Sequence, residues 1–273
     1  MSPTLRDKTL FITGASRGIG AAIALRAAAD GANLIIAAKS VQPHPKLPGT
    51  IHSVSKAVEQ AGGHALPVQM DVRDEDSVHA AVKQAVARFG GIDILVNNAS
   101  AIWLAGMLDT PMKRFDLMMA VNLRGTFLCS QTALPHLLKS GNPHILNLAP
   151  PPNLAPKWFQ EHTAYTVSKY GMSFCTLGMA AEFSERVAVN ALWPRTVIAT
   201  AAIAMLSGRV TADQCRTPAI VADAAHAILT RDGRACSGNF FIDEELLRAE
   251  GVTDFAPYAV KPGTTLMPDL FLD

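Results

Sequence analysis

A tyrosine and a lysine four residues apart are the side chains whose spacing most directly suggests chemistry. Tyr165 and Lys169 occur in the stretch AYTVSKYG (164–171), which opens a helical pattern. Residues i and i+4 of a helix lie on one face, so the phenol and the ammonium can reach each other. A free phenol, with a pKa of about 10, is a poor proton donor or acceptor at neutral pH, and a neighbouring cation lowers that pKa. The pair predicts a tyrosine acid–base catalyst, although this spacing also arises by chance in many helices.

A glycine-rich turn, TGASRGIG (13–20), joins the first apolar strand to an alanine-rich helix. Its glycines permit a tight turn and a close approach to a diphosphate, and the free amides that start the helix attract an anion. Such turns also occur without ligands, but this one lies at the first crossover of an alternating chain, so it predicts a dinucleotide site. The residues expected to bind the phosphates are Gly14, Ala15, Ser16, Arg17, Gly18, Ile19 and Gly20.

The end of the second strand indicates which dinucleotide is bound. An NAD site usually has an Asp or Glu there to bind the ribose 2′-hydroxyl. This chain has Ala37, Ala38, Lys39 and Ser40 instead, with Arg17 in the nearby glycine turn. Two cations and no carboxylate predict NADP(H) rather than NAD(H). The alternative is that Lys39 only extends its ammonium into solvent.

The elements that must position these residues alternate between strand and helix. Near-continuous apolar strands alternating with helices predict an α/β fold, a doubly wound parallel seven-stranded sheet (Rossmann) with helices on both faces. Residues 1–273 are predicted to form a single domain, with a proline-rich insertion at 41–50 and a C-terminal tail at about 243–273. The predicted strands are 8–13, 33–38, 65–70, 93–98, 144–148, 187–192 and 239–242, and the predicted helices are 18–29, 50–61, 74–89, 112–138, 162–183 and 220–230.

Composition excludes several functional classes. The chain is 49% hydrophobic and 17% charged, with a formal net charge of +1, which gives no general electrostatic basis for binding nucleic acid or an anionic membrane. No apolar run is long enough for a signal peptide or a membrane span. The cysteines are widely spaced, which predicts buried thiols rather than a metal site or disulfides, and the cytoplasm is the expected location. They are Cys129, Cys175, Cys215 and Cys236.

Four motifs, taken in order, resemble the short-chain dehydrogenase/reductase family. They are TGASRGIG (13–20), NNAS (97–100), NLRG (122–125) and YTVSK (165–169), and the resemblance covers residues 7–242. Longer stretches such as KSVQPHPKLPGTI and YAVKPG resemble one subgroup, whose members can carry a C-terminal sterol-carrier domain. This sequence stops before such a domain, so lipid transfer is not expected of it.

The resemblance implies three catalytic roles. Tyr165 would be the general acid or base, and Lys169 would bind the nicotinamide ribose and lower the pKa of the tyrosine. Asn122 would hold a water molecule that passes protons to Lys169. The alternative for Asn122 is a buried structural amide within its helix.

The resemblance also implies further cofactor contacts. Asp71 and Val72 would meet the adenine, and Asn98 and Ala99 would line the adenosine ribose. Thr200 would touch the carboxamide, although its spacing from the preceding proline is one residue longer than the family pattern. Asp71 could instead cap the following helix, and Asn98 could bond the backbone at its strand end.

One position departs from the family pattern. Members of the family have a serine after the fifth strand that donates a hydrogen bond to the substrate oxygen, and this chain has Ala149 in the stretch ILNLAPPPNL (145–154). Loss of such a donor costs about 10²–10³ in turnover, so serine at position 149 would raise carbonyl reduction at least tenfold in an impaired reductase. The chain is then a slow reductase, a variant that uses Asn153, Ser100 or Thr163 instead, or a laboratory Ser→Ala substitution.

The leading hypothesis is an NADP(H)-dependent oxidoreductase that interconverts a carbonyl and a secondary alcohol on a small apolar substrate. The alternative, favoured by Ala149, is a catalytically weak NADP(H)-binding sensor or scaffold. The resemblance implies a homodimer or homotetramer formed through 112–138 and 162–183. Large apolar residues that could line the substrate pocket, or belong to the core, are Trp103, Met107, Trp158, Phe159 and Met205.

Overall fold

A parallel sheet of seven strands forms the centre of the computed structural model, which describes residues 4–45, 47–201, 203 and 210–273. The strand order is β3-β2-β1-β4-β5-β6-β7. Every strand pair is parallel. The strands are β1 (Thr9–Thr13), β2 (Asn33–Ala38), β3 (His64–Gln69), β4 (Ile94–Asn97), β5 (His144–Asn147), β6 (Ala188–Trp193) and β7 (Phe240–Ile242).

Alternating side chains of the strands form one core on each face of the sheet. Leu10 and Ile12 of β1 pack into one core, and Phe11 between them packs into the other. Because successive residues of a strand point to opposite faces, continuous apolar strands need helices on both sides. The first core is covered by α1 (Gly18–Ala28), α2 (Ile51–Gln60), α7 (Ala219–Leu229) and α8 (Asp243–Ala249), and the second by α3 (Glu75–Phe89), α5 (Gly125–Leu137) and α6 (Thr163–Glu182). The predicted doubly wound class is confirmed.

The predicted helical stretch over 112–138 is confirmed, and it contains a π-helical turn that the sequence pattern does not predict. The chain forms α4 (Met112–Met118), a π-helical turn (Met119–Arg124) and then α5. The π turn contains the buried Asn122, whose amide bonds both main-chain groups of Ala101 in the loop after β4. The apolar pattern continues through this turn, so periodicity does not reveal the change in hydrogen bonding.

The end of the chain folds back over the carboxyl edge of the sheet. The Val197 amide donates to the Met267 carbonyl at 2.9 Å, and the Asp269 amide donates to the Arg195 carbonyl at 3.1 Å. The Trp193 indole donates to the Leu270 carbonyl at 2.9 Å. We call residues 267–273 the closing segment. The predicted tail is therefore packed against β6 and the loop that follows it.

Among the described residues no helix is long and apolar enough to cross a membrane. The cysteine thiols are free, and those of Cys129, Cys215 and Cys236 are buried. Burial raises the pKa of the Cys129 thiol to about 12, which keeps it protonated at neutral pH.

Candidate active site

The strand order reverses between β1 and β4, and ligands of doubly wound sheets bind outside the carboxyl ends of the strands at such a point. A cavity of about 840 Å³ lies there. The glycine turn after β1 forms one part of its wall, Tyr165 and Lys169 of α6 form another, and residues 267–270 of the closing segment form a third.

The glycine turn has the geometry of a phosphate cradle. Gly14 has φ +65°, and a Cβ there would lie 2.9 Å from Ala99 Cα. A Cβ on Gly20 would lie 2.5 Å from Asn98 Nδ2, so neither position has room for a side chain. The N-cap of α1, Arg17, makes no side-chain hydrogen bond to the helix, which leaves the first amides for an anion. These residues therefore fit the diphosphate of a dinucleotide.

Asn98 bonds the backbone at its strand end and also lines the cavity. Its Nδ2 donates to the carbonyls of Thr13, at 2.9 Å, and Gly14, at 3.1 Å, which ties the end of β4 to the glycine turn. The Thr13 hydroxyl in turn accepts from the amides of Asn98 and Ala99. Asn98 and Ala99 also line the cavity. The side-chain amide of Asn98 thus fixes the backbone of the glycine turn, and the residue also lines the cavity.

The ends of β2 and β3 form the part of the cavity expected to hold the adenosine. Arg73 Nη2 lies 2.6 Å from Asp71 Oδ2, and Lys39 Nζ lies 3.9 Å from the same oxygen. The hydrogen bond from Arg73 is the main cause that holds the pKa of Asp71 below its usual value. Arg17 donates to Ser40 Oγ at 3.0 Å and to the Gly49 carbonyl at 3.0 Å. Arg17 therefore fastens the proline-rich insertion to the glycine turn beside Lys39.

Tyr165 and Lys169 project from the start of α6 into the cavity, as their spacing predicts. Lys169 Nζ donates to the Leu148 carbonyl at 2.6 Å and lies 5.0 Å from the centroid of the Trp193 ring. The residue is 2% exposed. Burial lowers the pKa of Lys169 to about 7. The Asp269 carboxylate has the opposite, smaller effect and raises this pKa.

The pKa of Tyr165 differs from the expectation. Burial raises the pKa of this phenol above its ordinary value, and the Asp269 carboxylate raises it further. The expected lowering of the Tyr165 pKa by Lys169 is therefore not seen in the chain without cofactor. The reason is that Tyr165 is buried, with 6% of the residue exposed, so the loss of hydration of the phenolate is the larger effect.

The closing segment packs directly on the tyrosine. Phe271 is 1% exposed and stacks on the Tyr165 ring, with centroids 6.1 Å apart. It lies at the centre of an aromatic cluster whose other members are Trp158, His162, Tyr165, Tyr170 and Trp193. Asp273, at the end of the segment, bonds Asn153 and pairs with Lys157.

Ala149 lies away from the cavity. Its methyl group packs with Met172, Ala191 and Phe240, and the residue is 1% exposed. Leu148, one residue earlier, lines the cavity. The expectation that a hydroxyl at position 149 would reach the substrate is therefore not supported. Of the alternative donors, Ser100 lines the cavity, whereas Asn153 and Thr163 do not.

Most of the predicted site residues meet at the cavity. Those that line it are Gly14, Ser16, Arg17, Gly18, Ile19, Lys39, Asp71, Val72, Asn98, Ala99, Tyr165, Lys169 and Thr200. Thr200 lies across from the glycine turn, since a Cβ on Gly18 would be 3.3 Å from its Cγ2. Ala15, Gly20, Asn122 and Ala149 are buried behind the wall. Asn122 also donates to Ser168 Oγ at 2.9 Å, which fits the structural alternative.

The aromatic residues considered for a substrate pocket do not line this cavity. Trp103, Trp158 and Phe159 pack against the buried residues around Phe271, which fits the alternative that they belong to the core, and Met107 is exposed. Met205 lies outside the described residues. The apolar wall is built instead by Ile102, Leu104, Val197, Ile198, Val210 and Leu270.

Sequence reasoning missed the closing segment. The stretch LMPDLFLD (266–273) was treated as a tail, yet its residues 267–270 form a wall of the cavity. The high density of large apolar residues in this stretch, beside Asp269 and Asp273, was the available signal. Exposed tails seldom carry that many large apolar side chains.

The doubly wound fold, with a glycine turn at its switch point, is that of a dinucleotide-binding protein. Residues 8–207 match the family model described as short chain dehydrogenase, and the chain belongs to this family. It is similar to hydroxysteroid dehydrogenase-like protein 2 from Danio rerio, with 62% identity over 265 residues, 97% of this chain and 64% of the relative. The Homo sapiens protein of that name is 59% identical, with 97% and 63% covered. The predicted resemblance to this group is confirmed.

Solved structures support the same relationship. A crystal structure from Xanthomonas campestris is 64% identical, with a TM-score of 0.97 and 99% of each chain covered. A short chain dehydrogenase from Mycobacterium thermoresistibile is 50% identical, with a TM-score of 0.93, covering 99% of this chain and 96% of that one. The chain spans less than two thirds of the length of the curated relatives named above, 64% and 63%.

Proposed function

We propose that the protein is an NADP(H)-dependent oxidoreductase that interconverts a carbonyl and a secondary alcohol. The observation that carries this proposal is that the glycine turn and the Tyr165–Lys169 pair line one cavity of about 840 Å³. When bound, the nicotinamide group supplies or accepts the hydride. The chain itself then has to bind the dinucleotide and move one proton at the substrate oxygen.

The residues divide this work between them. The glycine turn and the first amides of α1 would bind the diphosphate, and Lys39 with Arg17 would face the 2′-phosphate. Tyr165 would give or take the proton, with Lys169 beside it on α6. A protonated Lys169 favours the phenolate and so offsets the burial that disfavours it. Asn122 remains our proposed water site, because π turns recur at functional sites.

The cavity wall favours an apolar substrate. Leu104, Val197, Ile198 and Leu270 are among its aliphatic residues, and few charged groups lie beyond the region expected to hold the adenosine. Burial of apolar area supplies most of the binding energy in such pockets, while a few polar groups set orientation. We therefore propose a small apolar ketone, aldehyde or secondary alcohol as the substrate.

A catalytically weak NADP(H)-binding sensor or scaffold is the second candidate. The observation that favours it is the packing of Phe271 on Tyr165, which buries the phenol and raises its pKa. Such a protein would bind the dinucleotide without turnover.

One experiment separates the two candidates. NADPH and NADH binding is measured by isothermal titration calorimetry, and carbonyl reduction is followed at 340 nm over a panel of apolar aldehydes and ketones. We expect Tyr165→Phe to keep NADPH binding and to lose most of the turnover. NADPH binding without turnover of any panel member by the unmodified protein would favour the sensor, and absence of dinucleotide binding would contradict both.

We further propose a homodimer or homotetramer and a cytoplasmic location. Exposed apolar residues on α5 and α6, including Phe127 and Phe174, support the assembly. The free thiols agree with a reducing compartment.

A further inference from the structure

The groups in direct contact with the Lys169 ammonium carry no negative charge. Its ammonium meets the Leu148 carbonyl, the Met172 sulfur at 3.5 Å and the face of Trp193. Among the described residues no carboxylate lies within 4.0 Å of it. A buried ammonium without a counter-ion tends to lose its proton, because the charged form is poorly hydrated.

The closing segment brings a carboxylate to this region. Asp269 lines the same cavity as Lys169 and Tyr165. Its main-chain amide is bonded to the Arg195 carbonyl, and the next residue is bonded to Trp193, whose ring faces Lys169. One carboxylate oxygen accepts from the Leu270 amide at 2.7 Å. The acid is thus held by neighbours on both sides, at a place set by the fold.

The electrostatic effects between the two groups are reciprocal. The Asp269 carboxylate raises the pKa of Lys169 against the effect of burial, and the Lys169 ammonium lowers the pKa of Asp269. Burial, the larger cause, raises the pKa of Asp269 to about 7. The other titratable groups that interact with Asp269 are Asp243, Tyr165 and Cys215. Asp243 is itself held by the Arg195 and Glu244 amides and faces Arg216.

We propose that Asp269 is a positioning residue of the reaction centre: its carboxylate, carried into the cavity by the closing segment, is the counter-ion that favours the protonated form of Lys169. The reaction centre is then incomplete without residues 267–273, which lie about a hundred residues beyond the Tyr-x-x-x-Lys motif. The inference rests on the proposed role of Lys169 beside Tyr165. It assigns a function to a segment that the sequence suggests is only a tail.

The test titrates Lys169 directly, without cofactor or substrate. Protein labelled with ¹³C-lysine is followed by NMR from pH 5 to 10, and the Lys169 Cε signal is assigned from its absence in Lys169→Arg. We expect a midpoint of about 7 in the unmodified protein. Asp269→Asn should lower that midpoint by about one pH unit or more, because the opposing charge is gone. Asp269→Glu, which keeps the charge, should stay close to the unmodified value.

Two further variants make the result decisive. Asp269→Ser is a second neutral variant, whose hydroxyl can still accept from the Leu270 amide if the asparagine does not fold. Asp273→Asn removes a carboxylate of the same segment at the surface and should leave the Lys169 midpoint unchanged. A Lys169 midpoint in the neutral variants equal to that of the unmodified protein would overturn the proposal.

The outcome is independent of the proposed reaction. If the midpoint shifts as expected but no carbonyl is reduced, the proposed function fails and the counter-ion assignment stands. If carbonyls are reduced but the midpoint does not shift, only the counter-ion assignment fails. For an active enzyme, the pH above which turnover declines should also move down in Asp269→Asn and return in Asp269→Glu.

Discussion

At the scale of single residues, the proposed preference for NADP(H) rests on the charges around one end of the cavity. Lys39 follows the end of β2, where an NAD site has a carboxylate, and Arg17 of the glycine turn bonds the next residue, Ser40. Arg17 already bonds Ser40 and the proline-rich insertion, whereas the Lys39 ammonium is 3.9 Å from Asp71 and largely exposed. Asp71 keeps its stronger partner, Arg73, at 2.6 Å. Lys39 is therefore the cation best placed to respond to a 2′-phosphate.

We predict that the unmodified protein binds NADPH more tightly than NADH and that Lys39→Asp abolishes or reverses this preference. A carboxylate repels the 2′-phosphate and accepts from a 2′-hydroxyl, and a hydrogen bond to a charged group contributes about 1.5–3 kcal/mol, roughly tenfold or more in the affinity ratio. Isothermal titration calorimetry with NADPH and NADH measures the ratio of the two affinities. Lys83→Asp, on the exposed face of α3, makes the same charge change away from the cavity. Equal affinities in the unmodified protein would contradict the NADP(H) assignment.

A second residue-scale prediction concerns Ala149. Its methyl faces Met172, Ala191 and Phe240, so a serine hydroxyl there would be buried among apolar groups. We expect Ala149→Ser to change turnover less than tenfold and to leave the melting temperature unchanged or lower it, since an unpaired buried hydroxyl costs about 1–3 kcal/mol.

Ser100→Ala is the matched change on the cavity wall. It should reduce turnover if Ser100 supplies the missing donor. A gain of tenfold or more in Ala149→Ser, measured as kcat on the best carbonyl of the panel, would show that the hydroxyl does reach the substrate.

At the scale of elements, the closing segment is held mainly by one side chain. Phe271 fills the centre of the aromatic cluster, and its backbone takes the left-handed value φ +74°, which is uncommon for a residue with a Cβ. The packing of the ring must stabilise this conformation. The other anchors are a few main-chain bonds and the surface pair of Asp273 with Lys157.

We predict that Phe271→Ala detaches the closing segment while the sheet stays folded. Truncating a buried Phe to Ala costs about 3–5 kcal/mol of stability. This is more than the remaining contacts of a short peripheral segment contribute. Hydrogen exchange at the Met267 and Asp269 amides should accelerate, and the fluorescence of Trp193 should shift to longer wavelength. Asp273→Asn is the control and should have a small effect, because an exposed ion pair contributes about 0–1 kcal/mol. Unchanged exchange in Phe271→Ala would contradict this role.

At the scale of the whole molecule, α5 and α6 present an apolar face to solvent. Phe127 is 56% exposed and Phe174 is 53% exposed, with Val167 and Leu177 also on the surface. Contiguous apolar residues of this size mark association surfaces more often than free surface. These are the helices through which an oligomer is expected. A two-fold interface would place the same face of each subunit against the other.

We predict that the protein is a dimer or tetramer in solution and that Phe174→Glu shifts it toward a monomer of 29.0 kDa. A carboxylate at the centre of an apolar interface loses its hydration without a partner. Light scattering after size-exclusion chromatography measures the mass. Met107→Glu places the same charge on a residue that is 74% exposed in the loop after β4 and should not change the mass. A monomeric unmodified protein would contradict the assembly.

The sequence by itself determined the features that depend on local spacing. Seven apolar segments, a glycine turn and a Tyr–Lys pair four residues apart are periodicities and short-range distances, which the backbone geometry of strands and helices converts into structure directly. The doubly wound class and most of the cavity residues followed from these. The π turn around Asn122 did not, because it leaves the apolar pattern almost unchanged.

Only the tertiary structure decided what surrounds those residues. Segments far apart in the chain set the orientation of Ala149, the raised pKa of Tyr165 and the placement of Asp269 in the same cavity as Lys169. Burial and electrostatic interaction are set by distances in space, and no spacing in the sequence encodes the return of residues 267–273 to the end of β6. The motif therefore predicts which residues meet at the cavity, and the fold decides the burial and charge that surround them.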